Sequence, residues 1–142
     1  MEHMSSFSTE ESEMEKKDLL EEAMASIRRL KANRLQAAAS AVVLADAKRV
    51  LEIERARAET RAVEAAGGEK NLGPNAEARK RALVIAVAED EDFKKAMDLW
   101  RRAHLDHEAN KAAAEAEQAR LAVLKAAIRW AGEVQNEGTD LA

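Results

Sequence analysis

From about Glu13 to Ala66, apolar positions recur at steps of three and four, with no glycine or proline among them. That period belongs to an α-helix turning one stripe toward a neighbour. The best-filled seam joins Leu20, Ala23, Ile27, Leu30, Arg34, Ala37, Ala41, Leu44, Lys48, Leu51, Arg55, Ala58 and Ala62. This is a heptad-like pattern with basic residues at three core-type positions. Val42, Val43, Val50 and Ile53 lie off it. Either the stripe drifts around the helix to meet more than one neighbour, or Arg34, Lys48 and Arg55 bury their stems at its edge. The first reading is preferred. At ~1.5 Å per residue the helix would reach roughly 75–80 Å. Ser12-x-x-Glu15 has capping-box spacing for its start, with Ser8-x-x-Glu11 as an earlier alternative. Residues 1–12 are expected to be a disordered tail.

The helix should stop at Gly67-Gly68, since glycine readily takes the left-handed cap conformation. Gly73 and Pro74, the only proline, follow, and Asn75 is placed to cap a second helix with Glu77 in its first turn. That helix, Ala76 to Ala88, opens on Arg79-Lys80-Arg81 and becomes very apolar. By composition Leu83–Ala88 also suits a short buried strand, but its flanks are helical and no partner strand exists. Four acids in a row, Glu89 to Asp92, repel one another in a helix middle and suit a restart with Asp90 as N-cap. A break, or a kink, near residue 90 is predicted. A last helix then runs from about Glu91 to Gln135. Its seam holds Phe93, Ala96, Trp100, Ala103, His107, Asn110, Ala114, Leu121, Leu124, Ile128 and Ala131. Trp100 is expected to anchor the contact with an earlier helix. The expected fold is all-α: a long antiparallel helical hairpin, coiled-coil-like, with a short linking helix after the Gly/Pro turn. It forms one domain over 13–137, and 138–142 is expected to be disordered.

Composition sharpens this picture. Thirty-two alanines, 3% aromatics and 35% charged residues match long helices and supply few large side chains for a core. A thin core follows, and a homo-oligomer is expected to complete it. No cysteine is present, which removes disulfides and thiolate zinc sites and fits a reducing compartment. No apolar run reaches the ~18–20 residues of a membrane span, and the first residues hold no apolar signal region. A cytoplasmic location is expected. The net charge of −4 is unevenly spread: residues 1–26 carry eight acids and two bases, residues 27–63 nine bases and four acids.

The run Lys70-Asn71-x-x-x-Asn75-x-x-Ala78-Arg79-Lys80-x-Ala82-Leu83, followed by Ala88-Glu89-Asp90-x-x-Phe93, resembles small helical bacteriophage proteins of unknown function, often encoded near recombination or replication genes. The resemblance covers about residues 65–130. It implies a long N-terminal helix, an Asn-rich turn, a short basic-apolar helix, an acidic restart and a long charged C-terminal helix. Many such proteins have Asp-Pro-x-aromatic at the restart, whereas Glu91 follows Asp90 here. The resemblance implies a phage context and a host cytoplasm, and carries over no functional residue.

Candidate chemistry is sparse. His104, Asp106, His107 and Glu108 have helical metal-site spacing, but Arg stands at 101 and no second histidine lies on another predicted helix. His107 and Asn110 instead read as a polar layer that sets register. The acidic run at 89–92 lacks the calcium-loop pattern and its glycine. No phosphate loop or nucleophile motif occurs. We therefore expect no enzyme activity, cofactor or metal. Arg28, Arg29, Lys31 and Arg34, then Lys48, Arg49, Arg55, Arg57 and Arg61, then Arg79, Lys80 and Arg81 are candidate contacts for a partner or for nucleic acid. Few aromatics are available to stack bases, and Glu52, Glu54 and Glu59 interleave the second cluster. The expected function is a non-catalytic interaction protein that binds a protein partner, possible in a host or phage complex, through its helix faces. The alternative is a nucleic-acid-binding accessory factor in phage recombination or replication.

Overall fold

A computed structural model describes the backbone of residues 2–140 and the side chains of residues 13–134. Helix α1 spans Glu2–Ala66, a 3-10 turn Glu69–Leu72, α2 Ala76–Glu89 and α3 Glu91–Asp140. No strand occurs among the described residues. The fold is all-α, a helical hairpin in which α1 packs on α3 and α2 links them. Leu83–Ala88 is helix.

Two expected boundaries move. α1 is helical from Glu2, so the start expected near Glu13 is corrected, and Ser12 lies inside the helix. No glycine or proline between residues 2 and 12 interrupts it. α3 likewise continues past Gln135 through Gly138 to Asp140. A single glycine costs a helix only about 1 kcal/mol. The expected disorder of 1–12 and 138–142 falls on residues whose side chains, and for Met1, Leu141 and Ala142 also the backbone, lie outside the described residues.

The turn is built as its residues dictate. Gly67 has φ +78°, a left-handed conformation. Its N–H donates to the Glu64 carbonyl at 3.1 Å, and that of Gly68 to Val63 at 3.0 Å. This paired arrangement satisfies carbonyls that the end of α1 leaves open. Asn71 Nδ2 caps the Ala66 carbonyl at 2.9 Å. Gly73 is extended, and its requirement is space: a Cβ there would lie 2.7 Å from the Ala78 methyl. Asn75 Oδ1 accepts from the Ala78 N–H at 2.9 Å and starts α2.

The chain divides into two compact units, residues 38–109 and residues 1–37 with 110–142. In the unit 38–109, Leu51, Ala58, Val87, Phe93 and Ala96 form the core, with Met97 and Trp100 half-buried against it. In the other unit, Ala23, Leu30 and Leu121 are buried, with Leu124 and Ile128 packed against them. Both cores are thin, as an alanine-rich seam requires.

The α3 seam lies where its spacing places it. The α1 seam is half corrected. Ala23, Leu30, Ala37, Leu44, Leu51 and Ala58 face inward, but the alternate row is Leu19, Ser26, Asn33, Ser40, Ala47 and Glu54, one residue earlier than expected. Leu20 and Ile27 are exposed at 45% and 38%, while Ser26 is fully buried. Arg34, Lys48 and Arg55 are exposed and are not seam residues. A one-residue shift turns a side chain by about 100°. That is enough to carry it from a two-helix contact to its flank. Val42, Val43, Val50 and Ile53 remain exposed.

Candidate functional site

Four kinds of surface compete for a functional role: the α2–α3 junction, the polar seam, the cationic rows and the exposed apolar faces. The junction is the best defined. α2 ends at Asp90, whose backbone is extended and whose N–H donates to the Val87 carbonyl at 3.1 Å. The same residue opens α3: its Oδ1 accepts from the Phe93 N–H at 3.0 Å. The break near residue 90 is therefore present without a proline. Arg61 of α1 adds a two-pronged contact, Nε to Oδ2 and Nη2 to Oδ1, both at 2.9 Å. Glu54 and Asp92 stand at 3.9 and 3.8 Å from the same guanidinium. The Arg61 bonds, then the Phe93 N–H, hold the Asp90 carboxyl below the ordinary aspartate range. The bond to Asp90 holds Arg61 above its ordinary value in turn. Beside this clamp, the Arg55 guanidinium lies 5.7 Å from the Phe93 ring centre. Phe93, Val87 and Leu83 border an open groove of about 420 Å³ with Arg55, Glu59 and Lys80 at its rim.

The polar seam is richer than the sequence pattern shows. In the unit 38–109, His107 Nδ1 and Ser40 Oγ lie 2.9 Å apart. In the other unit, Asn110 Nδ2 reaches the Gln36 carbonyl at 3.5 Å, and Asn33 Nδ2 reaches that of Ala113 at 3.4 Å. Buried Ser26 donates to Glu117 at 2.6 Å, and Arg29 donates to the same oxygen at 3.0 Å. The Ser26 bond, then Arg29, holds the Glu117 carboxyl below the usual glutamate range. Arg120 pairs with Glu22 at 3.1 Å. His107 and Asn110 thus stand in separate layers. Ser26, Asn33, Ser40, Glu54 and Glu117 are polar seam members that sequence reasoning missed. Their signal was position alone: seven-residue steps from Leu19 reach Ser26, Asn33, Ser40 and Glu54, and one such step from Asn110 reaches Glu117.

The twelve candidate cations divide by what holds them. Arg29 and Arg61 clasp carboxylates on α3 and at the junction. Arg49, Arg57 and Arg81 pair within their own helices with Asp46, Glu54 and Glu77. Arg79 donates to the Gly73 carbonyl at 3.1 Å and Arg55 lies on Phe93. Arg28, Lys31, Arg34, Lys48 and Lys80 are exposed, with no carboxylate within 4 Å among the described residues. Trp100, half-buried against the Phe93 cluster, stacks on His104 with ring centres 5.3 Å apart. His104 therefore faces an indole rather than a ligand set. Among the described residues no three His, Asp or Glu side chains converge as a metal site. None of the described helices is long and apolar enough to cross a membrane.

Beyond the seam, α1 exposes Leu35, Val42, Val43, Val50 and Ile53 at 44–72%, and α2 exposes Val84 and Ile85. Such surfaces can dock another apolar face. Comparison with protein-family models, curated proteins and solved structures finds no match to this chain.

Proposed function

We propose that this protein is a non-catalytic interaction module that binds a protein partner through its helix faces. The observation that carries the reading is the distribution of apolar residues. The seam uses Ser26, Asn33, Ser40 and Glu54 at inward positions, while Val42, Val43, Val50 and Ile53 are left on the outside. A chain selected only to stabilise its own hairpin would place those residues the other way round. Helix-in-groove and helix-on-helix docking use such faces. What the resemblance over residues 65–130 would imply, if it holds, is a partner in a host or phage complex. Affinity capture of the tagged chain from phage-infected cells, followed by mass spectrometry, tests this. A protein recovered by the native chain but lost when Val42 and Val50 become aspartate supports it. Recovery unaffected by those changes, or no specific recovery, removes it.

A second reading, nucleic-acid binding in recombination or replication, is favoured by one observation. Arg28, Lys31 and Arg34 lie within two turns of α1, exposed and with no carboxylate within 4 Å among the described residues. Binding of labelled single- and double-stranded DNA that falls steeply with salt would support it. No binding at low salt would exclude it.

A further inference from the structure

The side of α1 turned away from α3 carries a second seam. Ala39, Val42, Asp46, Arg49, Ile53 and Ala56 step by three and four and are all exposed. At ~100° per residue all six lie within about 50° of one line along the helix. Leu51 and Ala58, which pack with Phe93 and Ala96 of α3, sit roughly 150–170° around from that line. Val43 and Val50 border it on one flank, Ala45 and Glu52 on the other, and these four are exposed as well. Asp46 and Arg49 stand at its middle and touch only loosely, at 3.8 Å, with side chains 64% and 73% exposed.

We propose that this outer seam is a self-association face on which α1 of a second copy docks antiparallel, about a two-fold axis midway between Asp46 and Arg49. A two-fold contact is isologous: residue i meets residue j, and j meets i. The axis pairs positions equally far from it along the chain: Asp46 with Arg49, Val42 with Ile53, and Ala39 with Ala56, each twice over. Such layers are those that two heptad seams form when they interlock. At the centre, the two loose Asp46–Arg49 pairs close into a ring of four alternating charges. Val43 and Val50 come beside each other's counterparts on one flank. Ala45 and Glu52 do so on the other, where no like charges meet. The four exposed β-branched apolar residues of this stretch are thereby covered. Slipping the register by seven residues would set Asp46 on Val42 or Arg49 on Ile53, a charge against an apolar side chain. A parallel pairing would set Asp46 on Asp46 and Arg49 on Arg49, and like charges across an interface are costly. The charges therefore select both the direction and the register. The seam is about 26 Å long, which places the interface at the small end of the specific range, so the association is weak and reversible. This inference rests on the reading of the protein as an interaction module and names the occupant of one of its faces.

Sedimentation equilibrium of the full chain is the test, with circular dichroism as the folding control. The native chain is expected to pass from monomer to dimer below about 1 mM. Val42→Lys with Ile53→Lys should abolish the dimer without loss of helicity, since both side chains are exposed and lysine favours helix more than valine or isoleucine. Asp46→Arg or Arg49→Asp should each weaken the dimer by on the order of tenfold, because either change sets like charges together at two symmetric contacts. The double variant D46R/R49D should recover native self-association. The chain has no cysteine, so register can be read directly: a mixture of A39C and A56C chains should form a disulfide between copies on oxidation, and neither chain alone should. A chain monomeric throughout, a dimer indifferent to the Val42 and Ile53 changes, a double variant no better than the singles, or A39C linking to itself would each overturn the proposal. A monomeric chain that still captures a different protein through Val42 and Val50 would preserve the interaction reading while removing the second copy as the occupant of this face.

Discussion

Phe93→Ala removes the largest buried side chain of the core in the unit 38–109. The ring is 7% exposed and packs with Leu51, Ala58, Val87 and Ala96. An aromatic side chain buries upward of ~150 Å², which at ~25 cal/mol per Å² is worth about 4 kcal/mol. A compact denatured state already covers ~10–40% of such area, which lowers the figure to about 3 kcal/mol. The remaining methyl keeps about 0.8 kcal/mol, and a residual cavity adds a cost of similar size. The expected loss is therefore about 3 kcal/mol, at the low end for phenylalanine-to-alanine changes because an open groove lets the site collapse. Phe93→Leu should cost less than about 1.5 kcal/mol. Urea denaturation followed by far-ultraviolet circular dichroism and by tryptophan fluorescence measures both. A double-mutant cycle with Arg55→Ala should return about 0.5 kcal/mol for the guanidinium on the ring. A loss below about 1 kcal/mol for Phe93→Ala would refute the claim that this cluster holds α1, α2 and α3 together.

Three further outcomes follow from the same contacts. Asn75→Ala should cost about 1 kcal/mol by removing the α2 cap, and Asn75→Asp should be nearly neutral, as chemical denaturation will show. Asp90 and Glu117 bind protons more weakly in the folded chain than in the unfolded one. Their stabilisation is thus present at neutral pH and is lost as pH falls through the ordinary carboxylate range, near about pH 4, toward the depressed folded values; melting temperatures should drop there, and D90N/E117Q should flatten the drop. Replacing His107 by leucine together with Ser40→Ala removes both partners of one polar layer and should leave thermal stability unchanged or higher, while a broadened amide spectrum would mark the loss of a unique register.

The turn and the break were legible because each depends on a residue with a local role. Gly67 supplies a left-handed φ, Asn75 a side-chain acceptor, and Asp90 both a stop and a cap. No tertiary information is needed to read such signals. The α3 seam was legible for a different reason, since Phe93, Trp100, Leu121 and Ile128 are large and mark one face. The α1 seam was read one residue out on alternate turns. Leu20 and Ile27 are better apolar residues than Leu19 and Ser26 taken together, but a narrow contact selects by angle. Once Leu30, Leu44 and Leu51 set that angle, Ser26 and Glu54 are carried inward whatever their polarity. The bonds of Ser26, Asn33 and Ser40 to α3 make that burial tolerable, and only the paired helix shows them. Likewise, nothing in the sequence separates Arg61, which clamps Asp90, from Lys48, which has no carboxylate within 4 Å among the described residues.

The polar character of the α1 stripe has a consequence during synthesis. Glu22 cannot meet Arg120 until 98 further residues have been made. At ~5–20 residues per second that is a wait of roughly 5–20 s. A newly made helix lined by leucine alone would offer chaperones and neighbouring chains a continuous greasy edge over that interval. Ser26, Asn33, Ser40 and Glu54, interleaved among the inward apolar positions, break that edge into short pieces, so the nascent helix stays wettable until its mate emerges.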